Sequence, residues 1–282
     1  MKPHDQLSHD ELGEGWTDCY ELASDPQSLE APRVVKCVFG TFDQSQPFGG
    51  VPYGSTTLWC GEMKAGKSRL VLALCAGYAF HGARVAYLMG EMSPEEHFER
   101  LVMMSLQLTT EELRDGQHAD ARQNAVAWLR DSVGRRLKFK AVPITLEAIT
   151  KAAEWAGEGG VVVVDSVQRV QLAQRASGRA DEIETAMSHI VTMAQATRCA
   201  FHVLSEVAQA PKDGERNAHQ WTKHSSSPRQ NCDASYIVHG QVGGTQRIEN
   251  LDRRRGQRQD FTLVLSQRNW MPMLPMWEGG GA

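Results

Sequence analysis

Four residues set the first constraint. Gly61, Gly66, Lys67 and Ser68 stand at the spacing G-x-x-x-x-G-K-[ST], read in full as GEMKAGKS. Glycines at the two ends of such a loop let the backbone curl, so that its amide N–H groups and the N-terminus of a following helix face a polyphosphate. In that arrangement Lys67 bridges the β- and γ-phosphates, and the Ser68 hydroxyl ligates Mg2+. Glu62, Met63, Lys64 and Ala65 lie between, and Arg69 follows, so Gly61 to Arg69 is the stretch expected to contact ATP. The apolar run TTLWC precedes the loop and SRLVLALCAGYA follows it, the strand and helix the motif needs.

Two carboxylates fit the same chemistry. The run VVVV ends in Asp165, followed by Ser166, downstream of the loop. An acid that ends a buried strand there holds the water shell of Mg2+, although acids at strand ends are common on their own. Hydrolysis also needs a group that orients or deprotonates the attacking water beside the γ-phosphate. Glu91 is the candidate, because it follows the apolar run VAYLM and precedes a capped helix, which places it at the carboxyl edge of a sheet. The plainer role for Glu91 is to help Ser93 cap that helix.

Positioning these groups requires a sheet covered by helices. Short β-rich runs alternate with longer stretches at helical spacing, the pattern of an α/β protein with a mostly parallel twisted sheet and helices on both faces. Strands are predicted at 56–60, 85–89, 137–141, 161–164, 200–204, 235–238, 247–251 and 261–265. The later ones lie too close together for crossover helices, which predicts an antiparallel C-terminal extension. Helices are predicted from the phosphate loop to Phe80, from Ser93, over 111–130, over 146–156 and over 181–197. Ser93, Pro94 and Glu96 give an N-cap, a proline at the first helical position and a capping-box acid. Residues 206–231, rich in Gln, Ser, Asn and Pro, are expected to form a long mobile loop.

Composition narrows the class. The 282 residues carry a formal net charge of −4, which argues against nucleic-acid binding by bulk positive charge. Residues 1–35 hold eight acids against Lys2 and Arg33, leaving the rest of the chain mildly basic. Six scattered cysteines without a CxxC pair argue against zinc and against a disulfide framework. The polar, acidic N-terminus and the lack of a long apolar run predict a cytoplasmic protein without membrane contact.

Taken in order, these segments resemble the RecA-like ATPases, and within them the branch of RadA/Sms and the DnaB-type replicative helicases. FDQSQPFGGVPYGSTTLWCGEMKAGKS resembles the approach to that branch's phosphate loop, and YLMGEMSPEEHFERL the segment carrying its catalytic glutamate. VVVVDSVQRV is similar to its Walker B strand, and SSSPRQNCDASYIVHG to the helicase stretch that ends in an aspartate, an alanine and an apolar strand. The resemblance implies an acidic segment at 1–40, a RecA-like core over 41–270 and a tail at 271–282, a bare motor core without RadA's zinc finger or the helicase's N-terminal domain. It also implies a homo-oligomer, a hexameric ring or a filament, with ATP at subunit interfaces and replication or recombination proteins as partners.

Departures from that pattern carry information too. HVLSEVAQ puts Glu206 where the helicases have a glutamine that senses the γ-phosphate. The family's K-x-R followed by glycine aligns with Asp252, Arg254 and Gly256, which keeps the arginine finger at Arg254 and replaces the lysine by an acid, with the run Arg253 to Arg255 able to compensate. Two loops correspond to those that grip single-stranded DNA in this family. One carries Arg169, Arg175 and Arg179, and the other Lys212, Arg216, Lys223 and Arg229, with Trp221 available to stack on a base. The expectation is an ATP-hydrolysing motor on single-stranded DNA. The alternative is a KaiC-like regulatory or scaffold ATPase, favoured by the overall charge, Glu206 and Asp252. A small-molecule kinase finds little support, since no acceptor motif stands out.

Overall fold

In a computed structural model of the chain, the described residues are 30–274, apart from 38, 47, 174–176, 208–230, 243, 255–256, 270 and 273. Contacts divide the chain into Met1–Pro32 and Arg33–Ala282, and the architecture is that of the second unit. It begins with β1 (Val34–Val35), α1 (Gly40–Ser45) and β2 (Val51–Pro52), then β3 (Thr56–Gly61), α2 (Lys67–Phe80) and β4 (Val85–Met89). Next come α3 (Pro94–Leu106), α4 (Thr110–Arg114), α5 (Ala119–Ser132), β5 (Leu137–Lys140), β6 (Ile144–Thr145), α6 (Leu146–Ala156) and β7 (Val161–Asp165). A 3-10 turn (Val167–Arg169) leads through β8 (Val170–Gln171) to α7 (Arg179–Thr197), β9 (Ala200–Glu206), β10 (Ala234–Val242), β11 (Thr245–Arg253) and β12 (Phe261–Val264).

Eight strands form the main sheet in the order β12-β11-β10-β3-β9-β7-β4-β5. Side chains alternate between its two faces, as a pleated strand requires. Trp59, Tyr87, Val161 and Val163 pack on one face with α2 and α3, while Leu58, Ala86, Leu88, Val162 and Val164 pack on the other with α6 and α7. Helix α2 is buried almost throughout, from Leu70 to Ala79, so the helix that opens at the phosphate loop is also the centre of the core.

Two elements differ from the sequence expectation. The extension is antiparallel only at β11 and β12, because β10 pairs parallel with β3. The long stretch between β9 and β10 gives the chain length to return to the same edge, which the hairpin between β10 and β11 lacks. The helix predicted over 111–130 is two helices, broken where Gly116 adopts φ 82. The helix from Ser93 is as expected: Ser93 accepts from the Glu96 amide, Glu96 returns the bond, and Pro94 opens the first turn. The predicted loop at 206–231 lies almost wholly outside the described residues.

Candidate active site

The phosphate loop starts at Gly61, the last residue of β3, and ends in the first turn of α2. Gly66, the residue before α2, adopts φ +97, which favours glycine, and a Cβ there would lie 2.7 Å from Gln246 Nε2 and displace that side chain. Gln246, buried on β11, donates to the Ala65 carbonyl at 2.5 Å and pins the loop from the neighbouring hairpin. Lys67 Nζ donates to the carbonyls of Gly61 and Glu62, each at 2.9 Å, a conformation curled back on its own loop. Met63 and Lys64 are exposed, and Lys64 sits in the left-handed region at φ 66. Arg69 lies over the loop, its Nη2 3.3 Å from where a Gly66 Cβ would stand. The first amides of α2 have no intrahelical acceptor, so the loop presents donors and a helix N-terminus to a phosphate.

The two candidate Mg2+ ligands meet. Asp165, at the carboxyl end of β7, is hydrogen bonded to Ser68 and accepts from Tyr87 Oη at 2.9 Å. Burial raises its carboxyl above the usual range, against the pull of Ser68, Tyr87, His97 and Lys67. One hydroxyl and one carboxylate suit a hard cation that keeps its remaining oxygens from phosphate and water, so the residues present fit Mg2+. Burial lowers the Lys67 ammonium below its ordinary value, and the carboxylates of Glu206, Asp165 and Glu91 oppose that shift. These three acids therefore gather around the loop lysine. Glu206 stands beside Gly61 in the strand register, the place expected for a γ-phosphate sensor.

Glu91 follows β4 at the carboxyl edge and is half-exposed, yet it is engaged. Arg169 holds its Oε1 through Nε at 3.1 Å and Nη2 at 2.5 Å. Arg169 was expected on a DNA-gripping loop; it sits instead in the 3-10 turn beside the phosphate site. Arg179 is not on a loop either, since it opens α7 and pairs with Glu182 one turn on. Arg175, Lys212, Arg216, Trp221, Lys223 and Arg229 lie outside the described residues.

Arg254 is remote from this centre. Its backbone N–H donates to Asp233 O at 2.8 Å and its guanidinium lies 3.8 Å from the Asp233 carboxylate, which itself accepts from Thr56 N. Thr56 opens β3 and Gly61 ends it, so about 17 Å of extended strand separates Arg254 from the loop of its own chain. Asp252 pairs with Arg258 at 3.3 Å. Arg253 cannot stand in for the missing lysine, because its guanidinium turns inward to Ser45 O, Gln46 Oε1 and Tyr236 Oη. Sequence reasoning missed Tyr87 and Gln246, which sit in ordinary strand sequence with no motif to mark them, whereas Asp233 is the aspartate of the segment SSSPRQNCDASYIVHG.

Residues 47–214 match the family described as AAA domain. The chain is a member of that family. The matched span of this AAA domain holds Lys67, Glu91, Asp165 and Glu206, and ends before Gln246 and Arg254. Among solved structures it resembles the ATPase domain of G40P, with a TM-score of 0.74 and 13% identity over 95% of this chain and 99% of that one. It also resembles the structure of a DnaB-like replicative helicase and its interactions with primase, with a TM-score of 0.75 and 12% identity over 87% of this chain and 64% of that one. The chain thus spans just under two thirds of that helicase's length. No curated protein matches the sequence. The chain is a RecA-like P-loop ATPase domain whose fold is that of DnaB-type helicase ATPase domains.

Proposed function

We propose that this domain is an ATP-hydrolysing motor on single-stranded DNA that works as an oligomer, with each ATP site shared between neighbouring copies. The observation that carries the shared site is the separation of Arg254 from Lys67 along β3. Lys67 would leave the Gly61 and Glu62 carbonyls to hold the β- and γ-phosphates. Ser68 and Asp165 would hold Mg2+, which when bound neutralises charge on the phosphate oxygens. Glu91 takes the proton of the attacking water at its free carboxylate oxygen. Arg254 of one copy completes the site of the next. Support for DNA as the track comes from the fold shared with a DnaB-like replicative helicase. Protein partners of the replication or recombination class follow from the same likeness.

The test is the ATPase rate with and without single-stranded DNA, measured alongside the mass of the assembly. Wild type should be stimulated, Lys67→Ala silent, and Arg254→Ala should lose about 10³-fold in turnover while still binding nucleotide. A fully active monomer, or Lys67→Ala hydrolysing as well as wild type, removes the reading. Glu206 beside the loop favours a second reading, a KaiC-like scaffold ATPase that switches assembly and recognises protein. A salt titration of DNA binding separates the two, since a steep loss of affinity belongs to the motor and no binding to the scaffold.

A further inference from the structure

Helix α3 buries His97, Leu101 and Met104 along one face, and His97 is only 1% exposed. Its Nδ1 lies 3.1 Å from Ser93 O, and a carbonyl only accepts, so Nδ1 carries the hydrogen. Nε2 is then a buried acceptor with no partner among the described residues. An atom in that state destabilises a fold, and a leucine or phenylalanine here would avoid it. Ser93 O does not need the ring either, because it already accepts the His97 backbone N–H at 3.2 Å. Stability alone therefore does not account for a histidine at this place.

The ring's surroundings give it a geometric task. It stands edge-on to Tyr87, with centroids 5.0 Å apart, and tilts against Phe139 at 5.7 Å. Tyr87 is itself held by its bond to Asp165. The ring is thus wedged against β4 and β5, and its N–H fastens the Ser93 carbonyl to that wedge. At the other end of the same turn, Gly90 N–H donates to Asp165 O at 2.7 Å. Glu91 and Met92 form a short bridge between these two fixed points.

We propose that His97 is a positioning residue for hydrolysis: its Nδ1–H fixes the backbone that carries Glu91, so that this carboxylate keeps a constant place relative to Asp165. It acts on the turn and makes no contact with the Glu91 carboxylate. The inference deepens the proposed function and rests on the role given there to Glu91. A base displaced by about 1 Å can cost up to about 10²-fold in rate. The phosphate loop lies on another element, so the effect belongs to turnover and not to nucleotide affinity.

The experiment compares full-length wild type, His97→Phe, His97→Asn, Glu91→Gln and the double variant His97→Phe with Glu91→Gln. It measures kcat at saturating ATP and Mg2+, ATP affinity by titration, and the thermal unfolding midpoint. His97→Phe keeps the bulk of the ring, loses the N–H and removes the orphaned acceptor. It should lower kcat about ten-fold, keep ATP affinity within about two-fold, and unfold at or slightly above the wild-type midpoint. His97→Asn can place an amide N–H where Nδ1 stands but leaves a cavity, so it should recover kcat to within about three-fold of wild type while unfolding earlier. That opposite ordering of activity and stability is one a merely structural histidine would not give. In the Glu91→Gln background, His97→Phe should cost less than about two-fold more, because it acts through Glu91. A wild-type kcat in His97→Phe, a kcat in His97→Asn no better than in His97→Phe, or a full further loss in the double variant overturns the inference alone. Turnover near wild type in Glu91→Gln overturns the role of Glu91 in the proposed function, and the inference with it.

Discussion

At the scale of single residues, the site is a balance of charges around Lys67. Glu206 faces the ammonium from the adjacent strand end, where an incoming γ-phosphate would meet a like charge. Glu206→Gln should therefore tighten ATP binding about five-fold, the effect of relieving repulsion on the order of 1 kcal/mol, as measured by nucleotide titration. Unaltered affinity would show that the carboxylate turns away when ATP binds. Tyr87 supports the site from behind, donating to Asp165 from full burial. Tyr87→Phe should raise the Mg2+ concentration at half-maximal activity about ten-fold, as loss of a ligand's hydrogen-bonding partner does elsewhere. The motif residues were legible in the sequence because their spacing is dictated by phosphate geometry. Tyr87 was not, since VAYLM gives a buried strand whatever its aromatic residue does.

At the scale of elements, most strands and helices follow from periodicity and capping, and the failures have local causes. Asp115 and Gly116, a turn dipeptide outweighed in the sequence reading by the helical spacing around it, break α4 from α5, with Gly116 at positive φ. The parallel pairing of β10 with β3 depends on chain length far from both strands. The hairpin β10–β11 has a role that no local pattern announces, since it carries Gln246 to the phosphate loop. Gln246→Ala should weaken nucleotide binding about five-fold, the worth of one buried hydrogen bond of about 1 kcal/mol, without altering the DNA-free unfolding midpoint by more than a few degrees. Unchanged binding would leave the contact as packing alone.

At the scale of the whole molecule, stability and function meet at the sheet. His202 lies in the core between Trp59, whose Nε1 donates to its Nδ1 at 3.0 Å, and Tyr78 Oη at 3.1 Å from Nε2. Burial pushes its pKa from 6.5 down to about 3. Between those values the unfolded chain takes up a proton that the folded chain refuses, so the stability present above pH 6.5 is lost as pH falls toward 3. The loss is on the order of 5 kcal/mol across that window, and His202→Gln should flatten this part of a denaturant-measured stability profile. An unchanged slope would place the acid sensitivity elsewhere. Nothing in AFHVLSE marks His202 as a buried base, because its partners come from β3 and α2.

In the proposed oligomer, the placement of Arg254 at the far end of β3 from Lys67 gives each copy a donor pole and an acceptor pole. Copies joined head to tail then leave one acceptor without a donor at the end of every open chain, and none in a closed ring. Turnover per subunit becomes a count of free ends: it rises with length in a filament, approaching its limit without reaching it, and jumps to that limit when a ring closes.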